Sequence, residues 1–278
     1  MMLSSHTFRS AVLACAAVTM ATAAEPTRIV FQNGRSVPLS AVTLQGTNLT
    51  ITVASDGFVQ GQNLPLDSAD HIFGEKPAEL NTGIALLLMG RTGDALKLLE
   101  PLVASQRISA KIPGNYWLET ARAALVAYAV EGNTSKCNDL GKEISDATPI
   151  QGIDPFVSLG KALLLPTTTK IADRETALRD LTTDNLPADV CAYASFYRGN
   201  LLKGAKRDSE ALEAYLAVTC LFPSGGMVLN GVAELHASEL LNAVGRREEA
   251  VAILKSSISH SAGTLVAAEA NKRLESLK

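Results

Sequence analysis

The stretch AYASFYRGNLLKGAKRDSEALEAYLAVTCLFP, Ala192–Pro223, decides how the rest of the chain is read. Gly199 and Ala211 stand twelve residues apart in it. On two antiparallel helices joined by a tight turn, these positions face each other, and a side chain larger than a methyl group would force the helix axes apart. Tyr215 lies one turn beyond Ala211 and adds bulk to the same seam. Pro223 ends the second helix, because it has no N–H with which to continue the ladder. The stretch therefore predicts a helical hairpin closed through small residues.

The same spacing recurs on both sides. Gly83 and Ala95 are also twelve apart, with Gly90 at the turn between helices expected over 78–89 and 94–104. A weaker copy places helices at 116–131 and 135–146 around Gly132-Asn133, and Cys137 takes the small-residue place five positions after the glycine. A third pair, 154–165 and 173–181, is interrupted by Pro166-Thr167-Thr168-Thr169, which lengthens its turn. In the last pair, 228–244 and 247–259, Gly245 and Ala250 keep the offset seen at Gly90 and Ala95. A final helix over 265–277 carries Glu269, Lys272, Arg273 and Glu275 and is expected to close the stack with a polar outer face. With 47% hydrophobic but only 5% aromatic residues, the composition favours helices packed through Ala and Leu.

Residues 27–76 have a different character. Arg28–Gln32 leads into Asn33-Gly34, a dipeptide that predicts a type I′ hairpin turn. Asn48–Val53 alternates, with Leu49, Ile51 and Val53 on one side and Thr50 and Thr52 on the other. Four or five short strands in a small antiparallel module are expected, leaning on the helices that follow. The fold class is thus mainly α, a helical-hairpin solenoid over 77–278 preceded by a small antiparallel β module. An irregular helical bundle without true repeats is the alternative reading.

Gly199, Ala211, Tyr215 and Pro223 resemble the landmarks of the tetratricopeptide repeat (TPR), a 34-residue helix-turn-helix unit that stacks into a solenoid. The preceding segment PLDSADHIF, Pro65–Phe73, is similar to the N-terminal modules of exported bacterial repeat proteins of the Verrucomicrobia type. The TPR resemblance implies a concave face lined by the first helix of each repeat, where a protein or peptide partner docks. In the central copy it selects Tyr193, Phe196, Asn200 and Lys203. In the last copy it selects Val232, Leu235, Glu239 and Asn242. Tyr193 and Phe196 also read as plain core residues, and Lys203 as a solvated one. Leu80, Ile84, Leu87 and Leu88 at the corresponding places of the first copy are too apolar for an open groove, and the β module is expected to cover them.

Residues 1–24 read as a signal peptide, with Arg9, an apolar run from Ala11 to Met20, and Ala21-Thr22-Ala23 suited to cleavage. The chain is therefore expected to be exported, with a periplasmic destination and a possible place at the cell envelope. Val12-Leu13-Ala14-Cys15 loosely matches a lipobox and offers lipid anchoring as the lesser alternative. No later run is long and apolar enough to span a membrane. A net charge of -3 disfavours general nucleic-acid binding. After cleavage Cys137, Cys191 and Cys220 remain; Cys191 and Cys220 fall at neighbouring ends of the central hairpin, so a disulfide and a pair of buried thiols are both open.

Catalytic signatures are missing. His71, His236 and His260 show no metal-ligand spacing, and Gly199–Lys206 lacks both the ending of a phosphate loop and the strand that should precede it. Glu248-Glu249, and Glu210 with Glu213, sit where helix starts and solvent explain them. The expectation is a non-enzymatic interaction or scaffold protein with no cofactor or metal. A structural spacer in an envelope complex and an exported hydrolase with an unrecognised site are the alternatives.

Overall fold

The computed structural model describes residues 27–148 and 152–277. The expected signal segment, with Cys15, lies outside the described residues. The chain is mainly helical, with a small β module ahead of its helices.

Six strands, β1 (Arg28–Phe31), β2 (Ser36–Pro38), β3 (Val42–Gln45), β4 (Asn48–Ile51), β5 (Asn63–Pro65) and β6 (Ala69–Phe73), form two antiparallel sheets ordered β2-β1-β6 and β3-β4-β5. The β1–β2 turn differs from the type I′ expectation. Only Gly34 takes positive φ, at 77°, while the Asn33 side chain accepts a hydrogen bond from the Arg35 amide at 3.0 Å. A side-chain bond stabilises this turn, so Asn33 need not enter the left-handed region. Strand β4 buries Leu49 and Ile51 as its alternation requires, but it stops there, and Val53 is 60% exposed. The inner faces of both sheets share a core around Ile29, Phe31, Leu49, Ile51 and Phe58. Ile112, from the link between the second and third helices, completes that core, and the Ile72 amide donates to the Pro113 carbonyl in the same link at 2.9 Å. The module thus leans on the helical part through one connecting segment.

The helices pair as α1 (Ala78–Leu88) with α2 (Thr92–Gln106), α3 (Trp117–Val130) with α4 (Thr134–Ala147), α5 (Pro155–Leu163) with α6 (Ile171–Arg179), α7 (Ala188–Gly204) with α8 (Asp208–Leu221), and α9 (Met227–Ala243) with α10 (Arg247–His260). Helix α11 (Leu265–Ser276) packs on α9 and α10. Four of the five turns are built alike. A residue at positive φ follows each first helix: Gly90 (79°), Gly132 (73°), Lys206 (60°) and Gly245 (81°). The next amide, of Arg91, Asn133, Arg207 or Arg246, reaches back to the carbonyl of Leu86, Tyr128, Leu202 or Leu241 at 2.8–3.0 Å. This bond closes a Schellman motif and satisfies a carbonyl that the helix end would leave unpaired. Five positions after each left-handed residue comes Ala95, Cys137, Ala211 or Ala250, all buried. In the central hairpin the left-handed position is held by a lysine, which the glycine pattern does not reveal.

Small residues close the seams by direct approach. A Cβ on Gly83 would lie 2.7 Å from Leu99 Cδ2, and one on Gly199 would lie 2.6 Å from Tyr215 Cε1. The corresponding place in the last hairpin is Ser238, also buried. In the second hairpin that place holds Leu125, and space for it comes from a neighbour: a Cβ on Gly160 of α5 would lie 2.7 Å from Leu125 Cδ2.

Contacts between hairpins run in chain order, and then the row returns on itself: α1 packs against α9 and α11 as well as α2 and α3. Leu80, Ile84, Leu87 and Leu88 are all buried in the helical core. The elements packed on α1 are helices, α2, α3, α9 and α11, and the four residues belong to the helical core and not to that of the β module, which corrects the expectation that the β module would shield them. On α11 the apolar stripe Val266, Ala267 and Ala270 faces inward, Lys272 and Glu275 lie outside, and Glu269 and Arg273 are half-buried and paired with each other at 2.9 Å.

Candidate functional site

Of the residues selected for a partner-binding face, Phe196 is completely buried, at the centre of an aromatic group with Tyr197, Tyr215 and His236 at ring distances of 5.4, 5.8 and 5.5 Å. It packs the core, as do Val232 and Leu235, which also border a space of about 460 Å3 between α9, α11 and the α1–α2 turn. Asn200 is half-buried, and its Oδ1 accepts the Tyr215 hydroxyl at 2.7 Å, an internal bond. Lys203 donates to Glu239 Oε1 at 2.7 Å, joining α7 to α9. Burial works against the Glu239 charge, but the Lys203 bond holds its carboxyl below the ordinary glutamate range. Asn242 is exposed near the end of α9. His236 stacks on Tyr215 at 5.0 Å; burial first, then the charges of Lys203 and Arg273, push its pKa down to about 4.

Cys137, Cys191 and Cys220 are free thiols. The hairpin brings the ends of α7 and α8 together, but the two thiols diverge. Cys191 is buried toward the carbonyls of Thr183 and Leu186, whereas Cys220 is exposed. The disulfide reading is therefore corrected to separate thiols, one in the core and one on the surface.

Where the first helices α1, α3, α5, α7 and α9 converge, they leave a cavity of about 410 Å3. Tyr193 forms part of its wall: the residue is 7% exposed and its hydroxyl bonds no other group among the described residues. The opposite wall is Arg122 of α3. Its Nη2 donates to Asp154 Oδ2 at 2.7 Å, and Asp154 is wholly buried because its other oxygen caps α5, accepting from the Phe156 amide at 2.9 Å. The guanidinium lies 4.9 Å from the Phe156 ring centroid, and Phe156 meets Tyr193 edge-on at 5.4 Å. At the rim, Lys76 donates to Glu119 at 2.5 Å, and Asp189 stands 3.6 Å from Arg122. The loop 224–227 forms the lip; a Cβ on Gly225 would lie 2.4 Å from Ala192 Cβ, and the Asn230 side chain holds the Pro223 carbonyl at 2.7 Å. The lip is thus pinned to α7 and α9.

Tyr193 is the only one of the eight selected residues in this wall. Arg122, Asp154 and Asp189 were missed, although two carried a signal. A lone arginine in the otherwise small and apolar run Ala121–Val130 needs a buried partner, and Asp154-Pro155 is a helix-start pattern.

A second polar group lies between α9 and α10. Ser256 donates to Glu234 Oε1 at 2.7 Å, and His260 Nδ1 stands 3.3 Å from that hydroxyl and 3.5 Å from the same carboxylate oxygen. Burial pushes the Glu234 carboxyl up. The serine proton is directed at the carboxylate, and the imidazole presents one nitrogen to both groups, so it does not bridge acid and nucleophile as an acyl-transfer relay requires. Among the described residues no three His, Cys, Asp or Glu side chains come together as metal ligands, and no helix is long and apolar enough to cross a membrane. No family model, curated protein or solved structure matches the chain.

Proposed function

We propose that the chain is an exported, non-enzymatic TPR-like interaction module that takes a short segment of a protein partner into the cavity between its first helices. The observation that carries this reading is the Tyr193 wall: a phenol, 7% exposed, whose hydroxyl bonds no other group among the described residues, in a cavity of about 410 Å3 at the convergence of five first helices. That volume falls in the range of roughly 300–1,000 Å3 usual for ligand pockets. The repeated turn and small-residue seam support a TPR-like solenoid. Its concave side is partly filled by its own helices, since α1 abuts α9 and α11. The cavity between the first helices is sized for one or two side chains at the tip of a loop or tail.

The test is a peptide-display selection on the chain lacking its first 24 residues, followed by photo-crosslinking. A crosslinking side chain replaces either Met227, 53% exposed at the cavity mouth, or Leu221, 69% exposed on α8. Selected peptides are expected to crosslink at Met227 and not at Leu221. Equal crosslinking at both positions, or no selected peptide, would remove the proposal. Export is tested separately, by mass spectrometry of the secreted or periplasmic form: an N-terminus at Ala24 or Glu25 is expected.

A further inference from the structure

Resting on that reading, we infer that the group received by the central cavity is a cation, the ammonium of a lysine or the guanidinium of an arginine in the partner segment. The charges around the cavity are unequal. Two cations, Lys76 and Arg122, stand beside three carboxylates, Glu119, Asp154 and Asp189. Both cations are already engaged at short range, Lys76 with Glu119 at 2.5 Å and Arg122 with the buried Asp154 at 2.7 Å. With these two pairs formed, the carboxylates around the cavity outnumber the cations by one. Asp189 is the carboxylate left over: its nearest cation is Arg122 at 3.6 Å, beyond hydrogen-bond length, and its side chain is 39% exposed.

The remaining surfaces suit a cation as well. The Tyr193 hydroxyl oxygen is an unused acceptor, and the Tyr193 ring adds an electron-rich aromatic face. The negative field reaches this wall: besides burial, the charges of Glu119 and Asp189 push the Tyr193 phenol upward. An ammonium in the cavity would lie among walls that include Asp189, Glu119 and Tyr193, with Ile84, Val228 and Met227 available to its hydrocarbon stem.

The experiment uses the chain lacking its first 24 residues and three pentapeptides, Ac-Gly-Gly-Xaa-Gly-Gly-NH2, in which Xaa is lysine, norleucine or glutamate. Binding is read by NMR titration at low salt. The lysine peptide is expected to bind about tenfold more tightly than the norleucine peptide, the gain of one charge-assisted contact. Asp189→Asn, which keeps the local acceptor oxygen and the helix start, should remove most of that preference. Asp208→Asn, the same change of charge on the exposed start of α8, should not. Thermal melts confirm that both variants are folded. Equal loss in the two variants would mean general attraction to an acidic protein and would overturn the inference. Norleucine or glutamate binding as tightly as lysine would also overturn it, while leaving peptide capture standing. If none of the three peptides binds, the inference and the peptide-binding reading both fall.

Discussion

Gly199→Ala is the sharpest probe of how the helices are held together. In an isolated helix the change would be favourable, because alanine restricts the unfolded chain and is the best helix former, a gain of about 1 kcal/mol. Here the new methyl carbon would lie 2.6 Å from Tyr215 Cε1 and 2.7 Å from Cδ1, about an ångström inside normal carbon–carbon contact. The ring has little room to retreat. Tyr215 is wholly buried, stacked on His236 at 5.0 Å and tethered through its hydroxyl to Asn200 at 2.7 Å. Overpacking of this kind costs about 1–3 kcal/mol, so after the helix gain the variant is expected to lose up to about 2 kcal/mol net in urea unfolding. Gly93→Ala is the internal control. Gly93 is the second residue of α2 and nothing stands within 4 Å of its added Cβ, so alanine meets no clash there and should gain about 0.5 kcal/mol. Tyr215→Leu should be less damaging in the Gly199→Ala background than in the wild type, a coupling of about 1 kcal/mol. If Gly199→Ala stabilises as much as Gly93→Ala, close approach at the seam does not hold the hairpin, and the packing argument fails.

Lys206→Gly is expected to stabilise by about 0.5–1 kcal/mol in the same assay, since Lys206 alone holds at φ 60° the left-handed place that glycine fills in three other turns; a loss would show that its side chain compensates the backbone. His236 has its pKa lowered from 6.5 to about 4 on folding, so its contribution is fully present above pH 6.5, declines as pH falls, and is gone below pH 4. Measured from pH 7 to pH 4, wild type should therefore lose about 3 kcal/mol more than His236→Phe, and parallel pH profiles would refute this. Asp154→Ala strips a completely buried partner from Arg122 and a cap from α5, with an expected loss of about 3–5 kcal/mol; a loss below about 1 kcal/mol would mean that water replaces the carboxylate. Iodoacetamide on the native protein should label Cys220 well before Cys137 or Cys191, and equal rates would contradict their different burial.

Local physics was legible in the chain. Helix periodicity, left-handed glycines and small residues at matched offsets each act over a few residues, so the hairpins around Gly90, Gly132, Ala211 and Gly245 and the short strands around Asn33 and Leu49 could be placed without coordinates. Within those segments the misses also have local causes. The Schellman turn imposes its geometry on Lys206 without a glycine, and Asn33 uses its side chain where a positive φ was expected.

What neighbours each buried face was not legible. Leu80 and Ile84 announce that α1 must be covered, but apolarity does not name its cover. Only the assembled helices bring α9 and α11, far along the chain, onto α1. The same long-range packing leaves a cavity with a mouth at Met227, puts Phe196 in the core and gathers Arg122, Asp154, Asp189 and Tyr193 around one space. Sequence by itself determined the hairpins and the strands, because their signals are short-range. Tertiary structure alone decided which surfaces remain open, because closure depends on angles that no single hairpin contains.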